Sequence, residues 1–262
     1  MRLRGWSLAL AALFLALTVV APGGAPAQED QQAIVRVVHA VPDGPAVDVL
    51  VDNDPVFTNV AYRDVTDYAA VPAGAHNVRV VQAGAAPEAR PLIDTTVNLG
   101  ANTYNTIAAV GRADDIQAQP LEDSNTLPLS TRSSVRVVHA APEAPAVDVA
   151  VQEGPVLFPN VSFTDATQYR TVAAETVNLE VRAASTQDVV LEVPDLTLHG
   201  ATVYSIFAVG LGNEQAPLEA VVAIDAPLPE GCEALEARED TATPQGDHLL
   251  RETIWLRLAV SP

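Results

Sequence analysis

Two matched sets of polar residues recur in this chain: Arg36, His39 and Asp48 in one stretch, and Arg136, His139 and Asp148 in another. An imidazole with a carboxylate in reach can move a proton, ligate a metal or fix a turn by hydrogen bonding. Acid–base catalysis also needs a nucleophile or second acid near the pair. No Ser or Cys recurs beside either set, and GxSxG, HExxH and phosphate-binding glycine loops are absent. The spacing therefore predicts no catalytic residue, and the protein is not expected to be an enzyme. His39 shares a strand face with Val35 and Val37, so it points inward, where a polar group needs a partner. Asp48 is opposite in phase to Val47 and Val49. A His–Asp or Arg–Asp pair fixing the Pro-rich turn after each His is the expected use of these residues. A ligand-binding edge at that turn is the alternative. Asp64/Asp165 and Tyr68/Tyr169 recur as well.

Metal readings fare poorly against the same internal control. Asp52-Asn53-Asp54 offers alternating oxygens that suit Ca²⁺, but the matching residues are Gln152-Glu153-Gly154, and no EF-hand spacing exists. The His residues are scattered, without the clustered spacing of a zinc site. Neither a metal nor a cofactor is expected. Asn160-Val161-Ser162 has the form of a glycosylation sequon and is read as chance.

The elements that position these residues are strands. VRVVHAVPDGPAVDVLV begins at Val35 and VRVVHAAPEAPAVDVAV at Val135, an offset of 100 residues. That is the length of a small domain, beyond the roughly 20–50 residues of a solenoid repeat. Val35, Val37 and His39 alternate with Arg36, Val38 and Ala40, a period of two rich in β-branched residues. Pro42 and Pro45 end that strand, and Val47, Val49 and Val51 begin the next. Asp52-Asn53-Asp54-Pro55 predicts a turn, and Pro72-Ala73-Gly74 another. Strands are expected at 56–60, 75–82, 92–99 and 103–110, with 117–121 as a last one. The second copy repeats this order at 135–139, 147–151, 156–161, 176–183, 189–198, 203–209 and 219–224. Short strands at such spacing predict a β-sandwich. The domain reading is a signal peptide at 1–27, module one at 28–123, a linker at 124–133, module two at 134–226, and an acidic tail at 227–262 with a short apolar end.

Arg2 and Arg4, an apolar run from Ser7 to Val20 and Ala25-Pro26-Ala27 have the form of a secretory signal, cleaved near Ala27/Gln28. The run is shorter than the roughly 20 residues of a transmembrane helix, so no span is expected in the mature chain. All 14 basic residues are Arg, and the net charge is −19. Such a surface repels nucleic acid and anionic lipid. Cys232 is the only cysteine, so no intramolecular disulfide is available and each module must be held by its core. His248–Val260 is apolar again, with Ile254, Leu256, Leu258 and Val260 on one side if extended, and is expected to dock on a module or a partner.

The opening VRVVHAxPxxPAVDV, then Asn59–Asp64 and Asn160–Asp165 (Asn-Val-x-[Tyr/Phe]-x-Asp), and the closing Gly111 and Gly210 resemble a family of bacterial extracellular domains. It is catalogued as domain of unknown function 4397, and the likeness covers both modules. The resemblance implies two tandem immunoglobulin-like β-sandwich modules, an all-β fold, and export to the envelope or medium. It brings no catalytic residues. The expected role is a secreted, non-enzymatic binding or structural protein, adhesion-like, with an extracellular protein or a polysaccharide as partner. A carbohydrate-binding envelope or matrix protein is the alternative, disfavoured because Trp6 lies in the signal and Trp255 in the tail, which leaves neither module a Trp to stack on sugar.

Overall fold

A computed structural model describes residues 31–86 and 88–226. The signal segment, Cys232, the acidic tail and the apolar segment 248–260 lie outside the described residues. Module one contains β1 (Gln32–His39), β2 (Val47–Val51), β3 (Asp54–Val60), β4 (Ala69–Pro72), β5 (Gly74–Gln82), β6 (Ile93–Leu99), β7 (Tyr104–Arg112) and β8 (Asp115–Asp123). Module two repeats them as β9 (Arg132–His139), β10 (Val147–Val151), β11 (Val156–Val161), β12 (Arg170–Ala173), β13 (Thr176–Ala183), β14 (Val189–Thr197), β15 (Thr202–Val209) and β16 (Glu219–Ala226). No helix occurs among the described residues. The fold is all-β, in two tandem immunoglobulin-like sandwiches.

Each sandwich pairs a sheet in the order β4-β1-β7-β8 with one in the order β3-β2-β5-β6, and module two repeats both orders. The first strand runs parallel to the seventh and antiparallel to the fourth. Val35, Val37, Ile107 and Ala109 from one sheet pack on Val47, Val49, Val78, Val80 and Phe57 from the other, closing one core. Val135, Val137, Tyr204 and Ile206 do the same with Val147, Val149, Phe158 and Val181.

A third core joins the modules. Val38, Ala40, Ala108 and Val110 pack on Val138, Ala140, Phe207 and Val209. The sheet containing β1 and the sheet containing β9 therefore lie face to face, and 31–226 is a four-layer unit. This explains the opening motif. A strand with one wet face alternates apolar and polar residues, whereas one buried on both faces reads as a near-continuous apolar run. Val35, Arg36, Val37, Val38 and His39 are all 2% exposed or less.

Several boundaries differ from the sequence expectation. β4 and β12 were not expected: AAVP and RTVA are four-residue edge strands, too short to show a period. The turn expected over Asp52–Pro55 is confined to Asp52 and Asn53, both left-handed with φ of 52° and 74°. Two such residues suit a tight hairpin. Pro55 falls inside β3, where it is tolerated because β3 is an edge strand. β9 begins at Arg132, within the segment read as linker. The closing glycines have a steric cause. Gly111 and Gly210 have φ of 105° and 115°, and a Cβ there would lie 2.4 Å and 2.2 Å from the carbonyl oxygens of Asp115 and Pro217.

Candidate functional site

The recurring polar residues do not converge on one open site. They separate into turn clamps within each module and a buried network between modules. His39 belongs to the first group. Its Nδ1 accepts from the Val41 N–H at 3.2 Å, so its Nε2 donates to the Pro45 carbonyl at 2.9 Å. The imidazole, fully buried, thus ties both ends of the Pro-rich turn. His139 repeats this with Ala141 and Pro145 at 3.3 Å and 3.1 Å. The expected partner is corrected: neither His bonds to Asp48 or Asp148. Asp48 lies one strand over, where its Oδ1 accepts the Asn59 N–H at 2.7 Å and its Oδ2 the Gly84 N–H at 2.9 Å. Asn59 is left-handed, with φ of 55°, at a register shift between β2 and β3. The carboxylate therefore holds a bulge of the kind Asn tolerates. Asp148 repeats the contact with Asn160 at 2.7 Å. Its hydrogen bond from Gln187, then that from Asn160, holds its carboxyl below the ordinary range. Asp64 and Asp165 clamp the next turn, accepting the Ala61 and Ser162 N–H groups at 2.8 Å each.

Burial pushes the His139 imidazole below its usual pKa of 6.5, against the opposing pull of its bond to Pro145. The unfolded chain then takes up a proton near that pH which the folded chain resists. Stability is full above about pH 6.5 and falls as pH drops below it. Urea midpoints from about pH 8 to 5 should decline in the native protein. They should decline less steeply in His139→Gln, and an unchanged slope would assign the acid sensitivity elsewhere.

Arg36 and Arg136 form the second group, and each reaches from its own module to a carbonyl and a carboxylate of the other. Arg36 donates from Nε to Thr106 Oγ1 at 2.8 Å, from Nη1 to the Ile224 carbonyl at 2.7 Å, and from Nη2 to Asp225. Arg136 mirrors it, bonding Ser205 Oγ at 2.6 Å, the Glu122 carbonyl at 2.8 Å and Asp123. The two aspartates complete the exchange. Asp123 accepts from Tyr68 and Thr106 hydroxyls at 2.7 Å and 2.6 Å, and Asp225 from Tyr169 and Ser205 at the same distances. Each guanidinium also stacks over its own module's Tyr, 4.7 Å and 4.8 Å from the ring centres. Residue i meets j and j meets i, the reciprocity of a twofold contact, here within one chain. Rim contacts extend it: Arg63 pairs with Glu219, Arg112 with Glu143, and Gln119 Nε2 donates to the Thr164 carbonyl at 2.6 Å.

The electrostatics fit a lock. Two Arg and two Asp balance, and their side chains are at most 4% exposed. Burial raises the Asp225 carboxyl, while Arg36 and then Arg136 pull it down. Both phenols are pushed well above the ordinary tyrosine range, chiefly by burial. Every carboxylate oxygen of Asp123 and Asp225 accepts at least one hydrogen bond from within the protein. Sequence reasoning placed Arg36, Arg136, Tyr68 and Tyr169 among the recurring residues but missed Thr106, Ser205, Asp123 and Asp225. The signal was present: Asp123 ends β8 and Asp225 lies one residue before the end of β16. Among the described residues no cluster of His, Cys, Asp or Glu could hold a metal ion, and no helix is long and apolar enough to cross a membrane.

No curated protein matches the chain. Among solved structures it is similar to the Bacillus anthracis TIE protein (6% identity, TM-score 0.22), covering 68% of this chain and 34% of that one. It thus spans about a third of the TIE protein. It is also similar to a CBM26 domain of Eubacterium rectale Amy13K, solved with maltoheptaose (9% identity, TM-score 0.25), covering 74% of this chain and 98% of that one. A third is a streptococcal virulence factor described as binding alpha-glucan (13% identity, TM-score 0.22), covering 67% and 92%. TM-scores this low carry no argument about a ligand. The family described as Domain of unknown function (DUF4397) matches over residues 33–150 and again over 133–234. With both sandwiches matched, the chain belongs to that family and carries its domain twice.

Proposed function

We propose that this is an exported, non-enzymatic binding protein in which the repeated signature builds a rigid two-module body and module two meets an extracellular partner. The observation that carries this reading is an asymmetry between the modules. The recurring polar residues are engaged internally in both copies, but the last strands differ. On β16, Val222 and Ile224 pair with Ile206 and Tyr204 of the module core, yet remain 39% and 47% exposed. The matching residues of β8 are Pro120 and Glu122, paired with Ile107 and Asn105. Val189 and Val190 on β14 are exposed too. Exposed apolar groups on edge strands suit a protein partner. Every Tyr and Phe among the described residues is buried or half-buried, which disfavours sugar stacking.

Ile224→Glu tests this by giving module two the residue module one already has. The variant should melt within a few degrees of the native protein and capture at least tenfold less of a cell-surface protein partner in pull-downs. Retardation of both proteins on polysaccharide gels, equal in extent, would favour the carbohydrate reading instead.

A further inference from the structure

Module two holds an apolar cavity at an end that module one closes. It lies between the sheets, measures about 240 Å³, and is lined by Val135, Phe158, Val177, Leu179, Leu198 and Ile206 among others. Glu175, which is exposed, is the one charged residue on its lining. The repeat supplies the comparison. His76 precedes Val78 by two residues as Val177 precedes Leu179, and Val78 and Leu179 pair with Val51 and Val151 alike. In module one the buried His76 spans that end, 2.7 Å from both Asp52 Oδ2 and the Pro72 carbonyl. Asp52 is replaced by Gln152, so module two has neither the imidazole nor its carboxylate. Val51 and Val71 are 7% and 6% exposed, whereas the matching Val151 and Val172 are only half-buried.

The geometry points to a binding site for the hydrocarbon end of a small amphiphile that lacks an anionic head group. The lining side chains offer no hydrogen-bond donor, so the buried part of the ligand is apolar. An apolar cavity of about 150 Å³ stays dry and takes benzene, and drug-sized ligands fill roughly 300–1,000 Å³. A volume of about 240 Å³ lies between these. At about 30 Å³ per water-sized group it holds about eight heavy atoms. Glu175 at the opening, on a chain of net charge −19, repels an anionic head group. The site is distinct from the exposed residues of β14 and β16, so its occupancy is read independently of partner capture.

Octan-1-ol is the probe, titrated into the full chain by calorimetry and followed by methyl NMR. Saturable one-to-one binding is expected, with contacts from octanol methylenes to the methyls of Val177, Leu179 and Ile206. Octanoate at pH 8 should bind at least tenfold more weakly. Val177→Phe, which fills the space with an apolar ring, should weaken octanol binding at least tenfold while keeping the β-sheet circular dichroism. The NMR contacts in the native protein need no variant to fold. Absence of saturable binding, contacts from other residues only, or equal affinity for octanoate would overturn the proposal.

Discussion

Asp123→Ala is expected to destabilise the folded unit by about 3–5 kcal/mol, the usual consequence of removing one partner from a buried ion pair. The side chain is fully buried and accepts from Arg136 in one module and from Tyr68 and Thr106 in the other. Truncation strands a guanidinium, a phenol and a hydroxyl at once, away from water. For a unit of this size 1 kcal/mol shifts Tm by about 2–4 °C, so a drop of about 6–20 °C is expected. The informative control is Arg136→Met with Asp123→Leu. Removing both charges also removes their desolvation cost, so the double variant should recover the part of the loss that comes from the stranded guanidinium, while Tyr68 and Thr106 still lack Asp123. Thermal melts of both variants decide it. A loss below about 1 kcal/mol in Asp123→Ala would mean the network adds little, and a double variant no better than the single would mean packing matters there rather than charge.

The internal repeat made much of this legible before any coordinates, and the reasons for the failures are physical. Period-two runs such as Val47–Val51 and 75–82 read directly as strands, because one apolar face per strand is what a sandwich needs. β4 and β12 left no trace because four residues at an edge carry no period. The turn-fixing role expected of His39 is there, but its acceptor is the Pro45 carbonyl, and Asp48 serves a backbone N–H of β3 instead. Main-chain partners have no residue-type signature, so no spacing reveals them. Arg36 is the extreme case: its carboxylate lies 189 residues on, in the other module. A local reading offers it Asp48 and is wrong. The signal overlooked was that Asp123 and Asp225 recur along with Arg36/Arg136 and Tyr68/Tyr169, which makes sense when two copies face one another.

Phe207→Ala tests whether that facing arrangement couples the modules. Phe207 is fully buried and its ring belongs to the inter-module core, beside Val38, Ala108 and Val138. Its counterpart in module one is Ala108, since Thr106 and Ser205 sit opposite Arg36 and Arg136 in the same register. A large side chain in module two thus has a small counterpart in module one within the shared core. Deleting the ring should cost about 3–5 kcal/mol through lost burial and the cavity left behind. The neighbour Ile206 points the other way, into the core of module two, so Ile206→Ala removes comparable volume without touching the interface. Calorimetry should show one cooperative transition for the native protein and for Ile206→Ala, the latter shifted down. Phe207→Ala should split into two, because each module keeps its own core while their coupling is lost. A single transition in Phe207→Ala, merely shifted like that of Ile206→Ala, would mean the polar network alone suffices to make the two sandwiches unfold together.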